Sequence, residues 1–425
     1  MLLDELRWRG LLQDTSAGID DILRDKKLTV YVGFDPTADS LHIGNLVPIM
    51  LLKHFQLHGH KPIALVGGAT GMVGDPSGKS QERNLLSEEM LRHNQSCIQT
   101  QLMRFLEFEI GDNTASVVNN YDWFKDISFL HFIREVGKHI TVNYMMAKDS
   151  VKSRFEAGNG ISFTEFSYQL IQGYDYYHLW KNHNCLLQMG GSDQWGNIVT
   201  GTELIRKMGG GEAYALTAPL VKKADGGKFG KTEKGNVWLD AAKTSSYKFY
   251  QFWRNISDDD ALHWIKIFSL KDISTIQNII DTHQETPHLA IMQKSLAEEM
   301  TLRIHGTEAL EAALQASEVL FGKSTKEHLS SFSTEQVSEI FEGVPTFTIN
   351  KNLFDVPVPI IDVLAVHTNF LSSKGEARRQ LQAHAISVNQ EKVNTETLLS
   401  ATDCIQKRYI LLRKGKKDYA LVWVD

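Results

Sequence analysis

His42-Ile43-Gly44-Asn45 stands where a strand-like run, Tyr31-Val32-Gly33-Phe34, has turned through Asp35-Pro36 into a helix-like one. A helix that begins just after a parallel strand presents unpaired N–H groups and a partial positive charge, an end suited to phosphate. Gly44 in the first turn leaves no Cβ between the backbone and a flat ligand such as an adenine. The plainer reading makes His42 a helix-terminal residue bonded to its own turn.

Tyr168, Gln172 and Asp175 follow at spacings of four and three, which places them on one helical face. Flanked by Phe163, Phe166 and Ile171, they read as a polar pocket in an apolar wall, or equally as an amphipathic surface helix. Gln188-Met189-Gly190-Gly191-Ser192-Asp193-Gln194-Trp195-Gly196-Asn197 follows a strand expected over 183–188. Its glycines permit close backbone approach, and Asp193 suits ribose hydroxyls. Gly74-Asp75-Pro76-Ser77-Gly78-Lys79-Ser80 imitates the end of a P-loop. The imitation fails, because Val73 stands where that loop needs glycine and Pro76 removes an amide.

The elements that must carry these residues alternate. Strands are expected over 28–34 and 62–66, with a helix over 43–57 between them that Gly59 ends. Strand–helix–strand order implies a parallel sheet with helical crossovers. Glycine-rich Gly67-Gly68-Ala69-Thr70-Gly71 follows the second strand. A polar loop interrupts at 224–232, residues 245–321 read as helical, and 322–335 as a loose connection. The last 75 or so residues form a small unit that ends in paired strands over 409–412 and 419–424. No internal repeat is visible.

Composition narrows the classes. A chain of 425 residues can bury two or three cores. A formal charge of −6 argues against coating nucleic acid by bulk charge, so RNA would need a local patch. No run of about 18 apolar residues is present, and the acidic N-terminus Met1-Leu2-Leu3-Asp4-Glu5 is unlike a leader. Cys97, Cys185 and Cys404 are far apart in sequence, which fits neither a disulfide framework nor zinc and suits a reducing cytoplasm.

His42-Ile43-Gly44-Asn45 resembles the HIGH signature of class I aminoacyl-tRNA synthetases, and Lys228-Phe229-Gly230-Lys231-Thr232 resembles their KMSKS loop. Each motif alone is weak; together, in this order, they are strong. Tyr-x-x-x-Gln-x-x-Asp at Tyr168, Gln172 and Asp175 is the tyrosine-pocket pattern of the bacterial-type tyrosyl-tRNA synthetases. Residues 371–393 resemble a small RNA-binding domain shared by a ribosomal small-subunit protein and pseudouridine synthases. The closest rival is tryptophan activation, against which stand the pocket helix, Tyr31 and this tail.

The resemblance implies an α/β fold. A Rossmann-like parallel-sheet catalytic domain would occupy 1–222, with an inserted dimerisation region near 115–185. A mobile signature loop over 223–236, a helical anticodon-binding domain over 237–325, a linker over 326–350 and a small α+β C-terminal RNA-binding domain over 351–425 would follow. Thr37, His42, Asn45, Lys228 and Lys231 would serve catalysis, and Gly33, Asp35, His42, Gly44, Gly191, Asp193, Lys228 and Lys231 would hold ATP. Tyr168 and Gln172 with Asp75 would take the amino acid's ammonium, Asp175 and Tyr31 its phenol, and Gln194 its carboxyl region. Asn45 replaces the signature's second histidine; its amide donates a hydrogen bond but transfers no proton. Lys374, Arg378 and Arg379 would meet RNA phosphates, with Lys407, Arg408, Arg413, Lys414, Lys416 and Lys417 extending the basic surface. The implied partners are tRNA(Tyr), L-tyrosine, ATP with Mg2+ and a second copy of the chain, with no tightly bound cofactor, no metal held by the protein and no membrane.

Overall fold

A computed structural model describes residues 1–77, 86–156, 158, 160–227, 229–232, 235–321, 330, 332–341, 344–415 and 418–425. The chain divides into two compact units. One comprises Met1–Thr244 with Gln251–Ile304, the other Ser245–Tyr250 with His305–Asp425. Residues 237–325, expected as one helical domain, are thus shared between them.

The first unit is built on a six-stranded sheet of β1 (Asp14–Thr15), β2 (Thr29–Phe34), β3 (Lys61–Val66), β4 (Ser116–Asn119), β5 (Cys185–Gly191) and β6 (Tyr214–Ala218), in the order β1-β6-β5-β2-β3-β4. All neighbouring pairs are parallel except β1 with β6. Val30, Tyr31, Val32, Ile63, Ala64 and Leu65 are all buried. Such unbroken apolar runs, without polar alternation, mark strands covered on both faces.

The helix Leu46–Leu57 crosses from β2 to β3, and Gly59, at φ +84°, makes the turn beyond it. The helix Phe163–His183 leads into β5; Ser162 caps its start by accepting the Glu165 N–H, and left-handed Asn184 ends it. Because strand order runs outward in both directions from β2, a crevice opens beyond the C-terminal ends of β2 and β5, where open α/β sheets bind ligands.

The second unit holds a five-stranded sheet ordered Glu391–Lys392, Ile386–Val388, Tyr409–Lys414, Asp418–Val424, Thr346–Ile349. The expected pairing of the last two long strands is antiparallel, Leu411 opposite Leu421. The helix Lys374–Gln382, capped by Ser373, buries Ala377 and Leu381 in this unit's core and leaves Lys374, Arg378 and Arg379 exposed. Lys374 pairs with Asp362 at 2.7 Å and Lys414 with Glu376 at 3.3 Å. Lys416 and Lys417 lie outside the described residues.

Candidate active site

Four strand ends supply the crevice. Asp35 and Thr37 follow β2, Gly67–Thr70 follow β3, Asn120 follows β4, and Gly191 ends β5 with Ser192–Gln194 after it. The backbone at Gly67 comes so close to Asp35 that a Cβ there would collide with the carboxylate.

Asp35 is held from two sides, by Thr70 Oγ1 and by the Tyr168 hydroxyl, each donating at 2.7 Å. Asn120, fully buried, turns one amide group to both neighbours: its Nδ2 donates to Thr70 Oγ1 and to Asp175 Oδ2, each at 3.0 Å. Trp123 Nε1 donates to the other Asp175 oxygen at 2.9 Å. Burial pushes the Asp175 carboxyl up to about 8, the Asn120 and Trp123 donors pull against that rise, and the charge of Asp35 adds to it. Beside it the Tyr31 hydroxyl is buried without a hydrogen-bond partner, and burial, with Asp175 nearby, raises its pKa well above the ordinary value.

Asp75 and Gln194 are bonded to each other, Nε2 to Oδ2 at 2.8 Å, and the Ser77 N–H donates to Asp75 Oδ1 at 2.9 Å. Asn197 Nδ2 donates to Gln172 Oε1 at 3.1 Å and to Gln194 Oε1 at 3.4 Å. Asp75, Gln172 and Gln194, expected to meet an ammonium and a carboxylate, are therefore joined in one polar cluster through Asn197, while the Tyr168 hydroxyl is bonded to Asp35. Asp193 is exposed, on the 3-10 turn Ser192–Gln194 that opens the helix Trp195–Leu204.

At the other signature, the plainer reading of His42 is seen directly. Its Nδ1 accepts from the Gly44 N–H at 3.1 Å, so it does cap its own turn. Asn45 closes the box, its Oδ1 accepting from the His42 N–H at 3.0 Å. The carbonyl end of Asn45 is thus an acceptor, where the sequence reading gave work only to the amide end.

The second motif meets the first directly. Gly230, at φ +78°, lies so near the 42–45 turn that a Cβ on it would stand 2.7 Å from Ile43 Cγ1. Backbone bonds from Ile43 N to Val237 O (3.0 Å) and from Val237 N to Gly230 O (2.9 Å) hold the approach. Phe229 anchors it, stacking on Phe268 at 5.2 Å and standing edge-on to Trp264 at 4.7 Å between centroids. Lys228 lies outside the described residues, as does the side chain of Lys231, whose backbone pairs with Asn236.

Sequence reasoning missed Thr70, Asn120, Trp123, Asn197 and Phe229. Thr70, Asn197 and Phe229 stood inside runs already singled out, but nothing in their types marked them. Asn120 and Trp123 follow β4, a strand that was not foreseen.

Against known proteins, residues 23–322 match the family model for class I tRNA synthetases (W and Y), and residues 336–422 match a tyrosine–tRNA ligase SYY-like C-terminal domain. The chain is similar to the tyrosine–tRNA ligase of Bacteroides fragilis, 55% identical over 424 residues and 99% of each chain. It is 57% identical to that of Flavobacterium johnsoniae over 427 residues, 100% of this chain and 99% of that one. Among solved structures, a C-terminally truncated mitochondrial tyrosyl-tRNA synthetase of Aspergillus nidulans matches with a TM-score of 0.66 and 30% identity, covering 73% of this chain and 92% of that one.

Proposed function

The chain belongs to the tyrosine–tRNA ligases of class I, and from that premise we propose which of its side chains do which part of the work. The enzyme activates L-tyrosine with ATP to tyrosyl-adenylate and pyrophosphate, then passes the tyrosyl group to the terminal adenosine of its tRNA.

A carboxylate attacking the α-phosphate is already ionised, so no general base is needed. What must be stabilised is charge on the phosphate oxygens and the departing pyrophosphate, a matter of position and preorganised donors. His42, capped through Nδ1, turns its opposite ring nitrogen to the phosphates, with Thr37, the Asn45 amide, Lys228 and Lys231 as further donors. Gly33, Gly44 and Gly191 let the nucleotide lie against the backbone, Asp193 takes ribose hydroxyls, and Asp35 borders both ligands. Tyrosine's ammonium displaces the Gln194 amide from Asp75 and joins Tyr168 and Gln172. Gln194, so released, faces the carboxylate. Mg2+ comes with ATP; among the described residues no group of three or more His, Cys, Asp or Glu is placed to hold an ion of its own.

The observation that carries this reading is the placing of the Asp175 carboxyl beside the unpartnered, buried Tyr31 hydroxyl. The Asp175 carboxyl accepts a hydrogen bond from the phenol O–H and the Tyr31 hydroxyl donates to the phenol oxygen, whereas phenylalanine would leave the Tyr31 hydroxyl buried with no partner. The handling of phenylalanine by this enzyme class is a familiar worked case of such discrimination. Pyrophosphate exchange into ATP with each amino acid offered singly tests it. Tyrosine alone should support exchange, and exchange driven equally by tryptophan or phenylalanine would overturn the assignment.

We assign tRNA(Tyr) contact to the basic C-terminal unit, and a homodimer to an apolar face of the first unit. There Phe129, Ile133, Val142 and Phe163 are exposed around a cavity of about 460 Å3 lined also by Phe132 and Leu170. Exposed apolar area of this kind marks a protein interface. Phe129→Asp should yield monomers by sedimentation; an unshifted dimer would count against that face. Among the described residues no helix is long and apolar enough to cross a membrane. We place the enzyme in the cytoplasm, which suits its free cysteines.

A further inference from the structure

Asp175 depends on two donors that are fixed very differently. Asn120 is fully buried and locked by three bonds, the third accepted from the Ala69 N–H. Trp123 is only partly buried and rides on a single helical turn, Tyr121–Phe124, with its indole N–H as its one polar bond among the described residues. An indole on so short an element has freedom to rotate unless something holds its plane.

The core cluster around Tyr31, Ile63 and Leu65 packs against part of the indole, and the ring that stacks on its face is His178. Its ring lies parallel to the Trp123 indole, with centroids 4.3 Å apart and planes 14° from coincidence. His178 sits three residues after Asp175 on the Phe163–His183 helix, so one rigid element carries both the carboxylate and the ring that aims a donor at it. Asn182 faces His178 Nδ1 at 3.3 Å and fixes the imidazole in turn. Burial, then His183 and Lys181, lower the His178 pKa to about 4, so the stack joins two neutral rings near neutral pH.

We propose that His178 is a positioning residue for tyrosine recognition: by clamping the Trp123 indole it keeps Asp175 hydrogen-bonded and aimed at the phenol. The inference rests on the reading that Asp175 addresses that phenol. Among the described residues the ring and hydrogen-bond contacts of His178 are with Trp123, Tyr174, Asn182 and His183, none of them assigned to ATP, so its effect is selective.

Pyrophosphate exchange by the full-length protein tests this. His178→Ala should raise KM for tyrosine about tenfold, the scale of one charge-assisted hydrogen bond, with KM for ATP and kcat within twofold. His178→Phe, which keeps a flat neutral ring, should restore tyrosine KM to within twofold of the parent. In a Trp123→Phe background, His178→Ala should add nothing further. An unchanged tyrosine KM in His178→Ala, no rescue by His178→Phe, or an equal rise in ATP KM would overturn the clamp. Asp175→Asn in the same assay separates the two claims. If it leaves tyrosine KM unmoved, the phenol reading itself fails; if it raises that KM while His178→Ala does not, only the clamp is lost.

Discussion

Asp35 and Asp175 are joined through just two side chains, Thr70 and Asn120, in a chain whose donors all point outward to the carboxylates. The Asn120 amide supplies hydrogens to both Thr70 and Asp175, so the ends proposed for nucleotide and phenol share one chain of bonds. Asn120→Ala leaves a buried carboxylate oxygen short of a donor, at a cost of about 1–3 kcal/mol. Thermal melting should fall, and kcat/KM should drop about tenfold or more for tyrosine and for ATP together. A loss confined to one substrate would show that the two ends are not coupled here.

Asp175 gives the stability a sign that can be measured. Its carboxyl sits at about 8 in the folded protein, above the ordinary unfolded value of about 3.9. Between those values the folded state binds the extra proton, so stability contributed by this group falls as pH rises from about 4 to about 8 and levels off above. Asp175→Asn removes that slope and should also abolish most tyrosine-dependent exchange. The melting temperature of the variant relative to the parent should therefore climb across this window. A difference that stays flat, or falls, contradicts a carboxyl held near 8.

Asn45 shows how much a sequence reveals and where it stops. The spacing of Tyr168, Gln172 and Asp175 was legible because helical periodicity alone puts them on one side, and the strand–helix–strand run over 28–66 was legible from apolar runs ended by glycine. That Asn45 uses its carbonyl to cap His42 was not, since an amide's two ends look alike in sequence. Asn120 and Trp123 reach Asp175 from more than fifty residues away, a closeness that only the sheet order creates.

The two ends of Asn45 can be separated. Asn45→Asp keeps an acceptor for the His42 N–H but loses the amide donor and adds a negative charge beside the phosphates. It should melt near the parent and yet slow adenylate formation by about tenfold or more. Asn45→Ala loses the cap as well and should cost about 1 kcal/mol of stability. If Asn45→Asp forms adenylate at the parent rate, the donor role falls.

Gly230 is where the two signatures touch. Adding a methyl there forces a non-glycine residue to φ +78° and drives it into Ile43, whose Cγ1 would be 2.7 Å away. Gly230→Ala should push the loop back from the 42–45 turn. Since misplacement by about 1 Å can cost on the order of a hundredfold, exchange kcat should fall at least tenfold with tyrosine KM unchanged. Equal activity in the alanine variant would mean that this contact does not position the loop.

The C-terminal unit offers the cleanest division of labour. Residues 346–349 form a strand paired in parallel with 421–424, so a cut at 350 would strip that strand of its partner. A stop after residue 321 is the better boundary, because it removes the whole five-stranded sheet. The residues proposed for the catalytic crevice, and Trp264 and Phe268 that anchor Phe229, all precede residue 321, so tyrosine-dependent exchange should stay within a few fold of the parent. Charging of tRNA should fall far more, since the exposed Arg378 and Arg379 go with the sheet. In the full-length protein, Arg378→Ala with Arg379→Ala should weaken tRNA binding and lower its salt slope by about two phosphate contacts. Charging that survives the truncation at the parent's rate would move RNA recognition to the first unit and leave those arginines without the task assigned to them.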